Sequence, residues 1–147
     1  MPHSPDPSLD LAATDLRLAT FRLARRLRHE RALDSMSDAQ FAVLVILRQH
    51  GTQTLGALAE RERVTAPSMN RTVNVLEETG YLVRTPDEQD RRRVLIEITE
   101  SGAEIVAETI RLRDHALAEA LAELHLSEEE LEILRQASAL MRRVAER

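Results

Sequence analysis

The hydrophobic period of this chain shifts from helical to alternating at Gly80, and that change limits the folds open to it. Before it, apolar residues recur with helical spacing: Met69, Val73 and Leu76 stand at i, i+4 and i+7 and share one face of a helix. After it, Arg93-Val94-Leu95-Ile96-Glu97-Ile98 alternates, which puts Val94, Ile96 and Ile98 on one side of a strand. Tyr81–Thr85 reads as the partner strand, and Pro86-Asp87-Glu88-Gln89-Asp90-Arg91-Arg92 as a charged, turn-rich loop between them. A single β-hairpin in an otherwise helical sequence predicts a mainly α fold with a small β-hairpin wing.

The helices announce themselves by their caps. Residues 1–8 include three prolines and are expected to form a flexible arm. Leu16, Leu18, Leu23 and Leu27, with Phe21 and Ala24 among them, suit a helix from Leu9 to about Arg31, and their mixing with arginines predicts burial on more than one side. Ser37-Asp38-Ala39-Gln40 is a capping-box pattern opening an apolar helix at Phe41–Leu47, which Gly51 closes. A short polar link at Thr52 and Gln53 leads to a two-turn helix over Thr54–Arg61. After a tight turn at Glu62-Arg63-Val64, Thr65 can cap a third helix, with Pro67 in its first turn where a missing N–H costs nothing. That helix runs to about Thr79. Beyond the hairpin, Thr99 and Ser101 compete to start a long helix ending near Leu124, Ser101 forming a capping box with Glu104. A further capping box, Ser127 with Glu130, opens a last helix carrying Leu131, Leu134, Leu140, Met141 and Val144.

Composition matters mainly through what it removes. With no cysteine, the chain has no disulfide, thiolate nucleophile or Cys-ligated zinc, and aromatics at 2% leave an aliphatic core. No apolar run reaches the roughly 20 residues of a membrane span, so no membrane partner and a cytoplasmic location are expected. The net charge of −5 argues against a polyanionic partner, but its distribution does not. All 20 basic residues are arginine; residues 17–31 carry six against Glu30 alone, and residues 61–93 carry seven against six acids. A basic face on an acidic protein is what a nucleic acid meets, although arginines can also serve only to solvate a helix and form ion pairs.

The order of short helix, turn, polar-faced helix and basic-tipped hairpin is a winged helix-turn-helix arrangement. Such a motif seats its second helix in the major groove, where asparagine can pair with adenine and arginine with guanine. Asn70, Arg71 and Asn74 are the residue types expected at base edges, with Thr65 and Ser68 suited to phosphate near the helix N-terminus. In the wing, Arg91 and Arg92 sit on a stiff stalk able to put a cation into the minor groove, with Asp90 placed to hold an arginine by a local ion pair. Arg84, at the foot of the hairpin, joins them as a DNA-binding candidate.

These residues resemble the MarR family of bacterial regulators. The resemblance is carried by Leu58-Ala59-Glu60, by Val64-Thr65-Ala66-Pro67-Ser68-Met69-Asn70-Arg71-Thr72-Val73, by Gly80-Tyr81-Leu82-Val83-Arg84, and above all by Asp90-Arg91-Arg92 followed by Ile98-Thr99-Glu100-Ser101-Gly102. It spans roughly residues 9–145. It implies a homodimer whose first and last two helices interlock, so that residues 9–33 and 100–147 form a helical dimerisation region and 34–99 a winged DNA-binding domain. It also implies Asp90 and Arg92 as the wing pair, a pseudo-palindromic double-stranded DNA site, repression, and release by a small-molecule effector. The dimer has separate support, since helices 9–31 and 101–146 carry more apolar positions than a winged domain of about 65 residues can cover.

Other classes fare worse. The five histidines are scattered, and His115 or His125 with Glu119 or Glu123 would give a metal only a helical i, i+4 pair. With four glycines and no cluster of them there is no phosphate loop, so neither an enzyme nor a cofactor is expected. A winged-helix adaptor that binds protein instead of DNA stays open on the acidic net charge. An effector site, if present, would lie where helix 9–31, the Phe41–Leu47 helix and the helix after the hairpin meet.

Overall fold

A computed structural model describes residues 6–147, which form six helices and three short strands: α1 (Pro7–Leu27), α2 (Asp38–His50), β1 (Gln53–Thr54), α3 (Leu55–Glu62), α4 (Ala66–Glu78), β2 (Leu82–Pro86), β3 (Val94–Ile98), α5 (Glu100–Glu123) and α6 (Glu128–Ala145). The expected arm over residues 1–5 lies outside the described residues, while Pro7 and Ser8 already belong to α1, capped by Asp6 through the Ser8 amide at 2.9 Å. The chain divides into two compact units, one reaching to Arg113 and one over Asp114–Arg147. Among the described residues no helix is long and apolar enough to cross a membrane.

The core of the first unit is aliphatic. Val43, Leu44 and Leu47 of α2, Leu58 and Ala59 of α3, Met69, Val73 and Leu76 of α4, Leu82 of β2, Ile96 of β3 and Val106 of α5 are all buried together with Met36. Each fully buried Leu, Ile or Val contributes roughly 1.5–3 kcal/mol, so this cluster is what fixes α4 against the hairpin. Val94, expected on the inner face, is exposed: it is the last residue of β3 toward the loop, beyond the reach of the core.

The sheet has three strands where a hairpin alone was expected. β3 is central, pairing antiparallel with β2 (Leu82 with Ile98, Arg84 with Ile96, Pro86 with Val94) and with β1 (Gln53 with Ile96, Thr54 with Leu95). β1 is only two residues long, too short to carry an alternating signal, and forms because β3 offers it an open edge.

Chain termini of the helices obey local rules where local groups suffice. Both capping boxes at Ser37/Gln40 and Ser127/Glu130 are closed in both directions, and Gly51 ends α2 at φ +73°. α4 ends with the Tyr81 amide donating to Leu76 O and the Gly80 amide to Glu77 O, with Gly80 at φ +81°. That bond takes Tyr81 out of the strand, which starts one residue later than the periodicity predicts. α3 closes in the same way, the Val64 amide reaching Ala59 O, but with Arg63 in the left-handed position at φ 53°.

Two boundaries were decided by distant partners. α1 stops at Leu27, four residues short of expectation, because the following segment is tied elsewhere. Ala32 N donates to Thr109 Oγ1 at 3.1 Å, Glu30 O accepts from Arg113 Nε at 3.1 Å, and Arg31 donates to Met36 O at 2.8 Å and pairs with Asp38 at 3.0 Å. Thr99, not Ser101, caps α5: its Oγ1 accepts from the Gly102 amide at 3.1 Å and donates to Gly80 O at 2.7 Å, while Ser101 lies exposed inside the helix. Within the single chain no residue of α1 is buried, so the expected burial of this helix is not supplied by the chain's own packing.

Candidate nucleic-acid interface

α4 is built to face two ways. Met69, Val73 and Leu76 anchor its inner side, whereas Thr65, Asn70 and Arg71 are exposed and Ser68 and Asn74 half-buried on the other. Thr65 adopts the extended backbone of an N-cap and accepts the Ser68 amide at 3.3 Å. The first turn holds no acidic side chain, so the positive end of the helix stays uncompensated beside Thr65 and Ser68, as phosphate binding requires.

The hairpin stands directly after this helix. Its tip is held by backbone and carboxylate bonds: Asp87 N to Arg93 O at 3.0 Å, Arg93 N to Asp90 O at 2.8 Å, and Gln89 N to Asp87 Oδ1 at 2.9 Å. Asp90 Oδ1 accepts the Arg92 backbone amide at 3.0 Å. This corrects the expected ion pair: Asp90 shapes the turn and leaves the Arg92 side chain unengaged. Arg91 and Arg92 are exposed, and among the described residues their guanidinium groups have no carboxylate partner.

Arg84 behaves differently. Its guanidinium turns back onto α4, with Nη2 donating to Asn70 Oδ1 and to Asn74 Oδ1, both at 2.8 Å, and Nη1 pairing with Glu77 Oε2. The structure thus brings Asn70, Asn74 and Arg84 together and sets Thr65 and Ser68 at one helix end. Arg91 and Arg92 stand apart on the wing. Glu77 escaped the sequence reading, although its position seven residues after Asn70 and three after Asn74 puts all three on one face.

Gly102 also escaped it as a structural residue, and Thr99, one of the two candidate caps, was not read as a tie to the hairpin. A Cβ on Gly102 would overlap the Tyr81 carbonyl oxygen and fall 2.9 Å from Ile98 Cγ1. Bare glycine there lets α5 pass against the base of the hairpin, and Thr99 bonds that crossing to Gly80. The stalk of the wing is therefore clamped at its root.

Where an effector site was expected, the described residues form a small crevice, about 10 Å³, lined by Arg31, Leu33, Met36, Asp38, Phe41, Thr109 and Arg113. That is room for about one water. The Arg113 guanidinium forms part of its wall, 4.5 Å from the centre of the Phe41 ring, and burial pushes this group below its ordinary arginine pKa. In the second unit His115 Nε2 lies 3.5 Å from Glu119, both well exposed.

An exposed polar helix after a short helix and turn, followed by a clamped cationic hairpin on the same core, defines a winged helix-turn-helix DNA-binding protein. The sequence pattern of the MarR family matches residues 36–94, the helix-turn-helix and most of the wing. The chain is 45% identical over 129 residues to an HTH-type transcriptional regulator of Mycobacterium bovis, covering 88% of this chain and 89% of the relative. It is 29% identical to the HTH-type transcriptional repressor MdtR of Bacillus subtilis, covering 84% and 81%. Among solved structures, a MarR family protein from Bacillus stearothermophilus superposes with a TM-score of 0.81 at 24% identity, over 95% of this chain and 96% of that one. The transcriptional regulator Tm0710 from Thermotoga maritima gives 0.73 at 26% identity, over 94% and 99%. This chain belongs to the MarR family and is a DNA-binding transcriptional regulator.

Proposed function

We propose that the chain acts as a homodimeric repressor on a pseudo-palindromic operator, with α4 in the major groove and the wing in the adjoining minor groove. The observation that carries this is the pairing of an outward polar face on α4 with a hairpin whose tip presents Arg91 and Arg92 without carboxylate partners among the described residues. A narrow minor groove concentrates negative potential, and a guanidinium on a rigid stalk enters it without losing much chain entropy. In this reading Thr65 and Ser68 bind phosphate, Asn70, Arg71 and Asn74 read base edges, and Asp90 holds the wing turn that aims Arg92.

The dimer rests on apolar side chains that the single chain leaves uncovered. Phe21 in α1 is 58% exposed, as is Ile133 in α6, and Val144 is 65% exposed. Neither α1 nor α6 has a buried residue, so their apolar stripes stay in water unless a second copy covers them. On this basis residues 9–33 and 100–147 are assigned to dimerisation and 34–99 to DNA. An effector would enter at the Arg31–Phe41–Arg113 crevice by displacing Arg113 from Phe41, and two guanidinium groups there favour a small anion.

Selection of bound duplexes from a random pool tests binding, symmetry and spacing together. A dimer is expected to recover inverted half-sites centred about 10 base pairs, one helical turn, apart. An unbroken asymmetric site would contradict the dimeric arrangement. Arg92→Ala is expected to weaken operator binding by ~1–3 kcal/mol and to lower the slope of log K against log salt. Wild-type affinity and slope in that variant would remove the wing from the interface. If no duplex is shifted even at low salt, while a protein partner is retained, an adaptor role takes its place.

A further inference from the structure

The contacts of Arg84 bear on how α4 reads bases. Arginine carries donors only, so any amide facing it must present oxygen. Nη2 lies 2.8 Å from both Asn70 Oδ1 and Asn74 Oδ1, and Nη1 is fixed by Glu77. Flipping either amide would set an NH2 group against a guanidinium N–H, donor against donor. Each asparagine is therefore held in one orientation, oxygen toward the hairpin and NH2 away from it. The bracket is partly shielded, the Arg84 side chain being 23% exposed, so water competes poorly for these bonds.

An asparagine free to flip can offer a donor or an acceptor at the same place; one held in place offers a single pattern. Base pairs in the major groove differ in just this pattern: purine N7, guanine O6 and thymine O4 accept, whereas the amino groups of adenine and cytosine donate. We propose that Arg84 is a positioning residue for base recognition, fixing the Asn70 and Asn74 amides so that α4 favours acceptor-bearing edges and disfavours the cytosine amino group at the positions they face. This rests on α4 being the groove helix and deepens that reading. Arg84 acts here without touching DNA.

The test compares random-pool selections by the wild type, Arg84→Met, Arg84→Lys and Glu77→Gln, each followed by salt titration on the wild-type operator. Arg84→Met is expected to flatten base preference roughly tenfold at the pairs under Asn70 and Asn74. Preferences elsewhere and the salt slope should stay as in the wild type, because no phosphate contact is lost. Glu77→Gln should relax the same positions more weakly, and Arg84→Lys should restore little, since an ammonium lacks the planar fork. Unchanged preference at those positions overturns the proposal. So does a uniform loss across all sequences with the slope lowered by about one, which marks Arg84 as a phosphate ligand. Should Arg84→Met fail to fold, Glu77→Gln decides, as it alters only one partly exposed carboxylate. A wild type that selects no common sequence sinks the groove-helix reading itself, and is recognised before any variant is scored.

Discussion

With Ile133 and Leu140 both replaced by glutamate, the protein is expected to sediment as a folded monomer of 16.6 kDa and to bind its operator roughly 10²–10⁴-fold more weakly. Ile133, Leu140 and Val144 recur at i, i+7 and i+11 on α6, and all three are more than half exposed in the single chain. Two carboxylates on that stripe would have to be desolvated in a dimer, at several kcal/mol each, whereas in a monomer they cost almost nothing. Losing the dimer loses the second half-site, which otherwise binds at the high effective concentration set by the first. Sedimentation and binding measured on the same preparation decide the matter. A double variant that stays dimeric, or a wild type that is monomeric at micromolar concentration yet selects inverted half-sites, would defeat the assignment.

Gly102→Ala is expected to destabilise the fold by about 3 kcal/mol, lowering the melting temperature by about 10 °C. Helix propensity alone predicts the opposite sign, because alanine in a helix interior is favoured over glycine by ~1 kcal/mol. The overlap decides: the added methyl meets the Tyr81 carbonyl, a backbone atom that cannot rotate away, and also crowds Ile98. Relief would require α5 to move off the hairpin, breaking the Thr99 bonds to Gly80 and Gly102. Gly56→Ala in α3 is the control, since a Cβ there meets nothing within 4 Å, and a gain of ~0.5–1 kcal/mol is expected. If thermal melts showed both alanines stabilising, the clamp at the hairpin root would not exist as described.

What could be read from the sequence follows the range of the interactions. Ser37, Thr65 and Ser127 were recognisable as caps because the amides they accept lie three residues away. Met69, Val73 and Leu76 were legible as a buried face for the same reason, the helix itself bringing them into line. The Thr99–Gly102 motif could be noticed but not explained, because its partners, Gly80 and Tyr81, are some 20 residues earlier. β1 left no trace in two polar residues, and Ser101 satisfied the capping pattern as well as Thr99 did.

The same holds at the interface. Residue types placed Asn70, Arg71 and Asn74 on an outward helical face and Arg91 and Arg92 on a loop. They could not show that Arg84 folds back on α4, nor that Asp90 bonds a backbone amide instead of a side chain.

The amino-acid order by itself determined the helices, the single hairpin, the polar face of α4 and the arginine-bearing tip, because periodicity, caps and turn residues act over one to four positions. Only the tertiary structure decided where α1 stops, which residue starts α5, how the hairpin is clamped and which way two asparagine amides point. Those outcomes depend on groups 10 to 83 residues apart in the chain, such as Arg84 with Asn74 or Arg113 with Glu30, whose meeting is fixed by the packed core and not by any local rule.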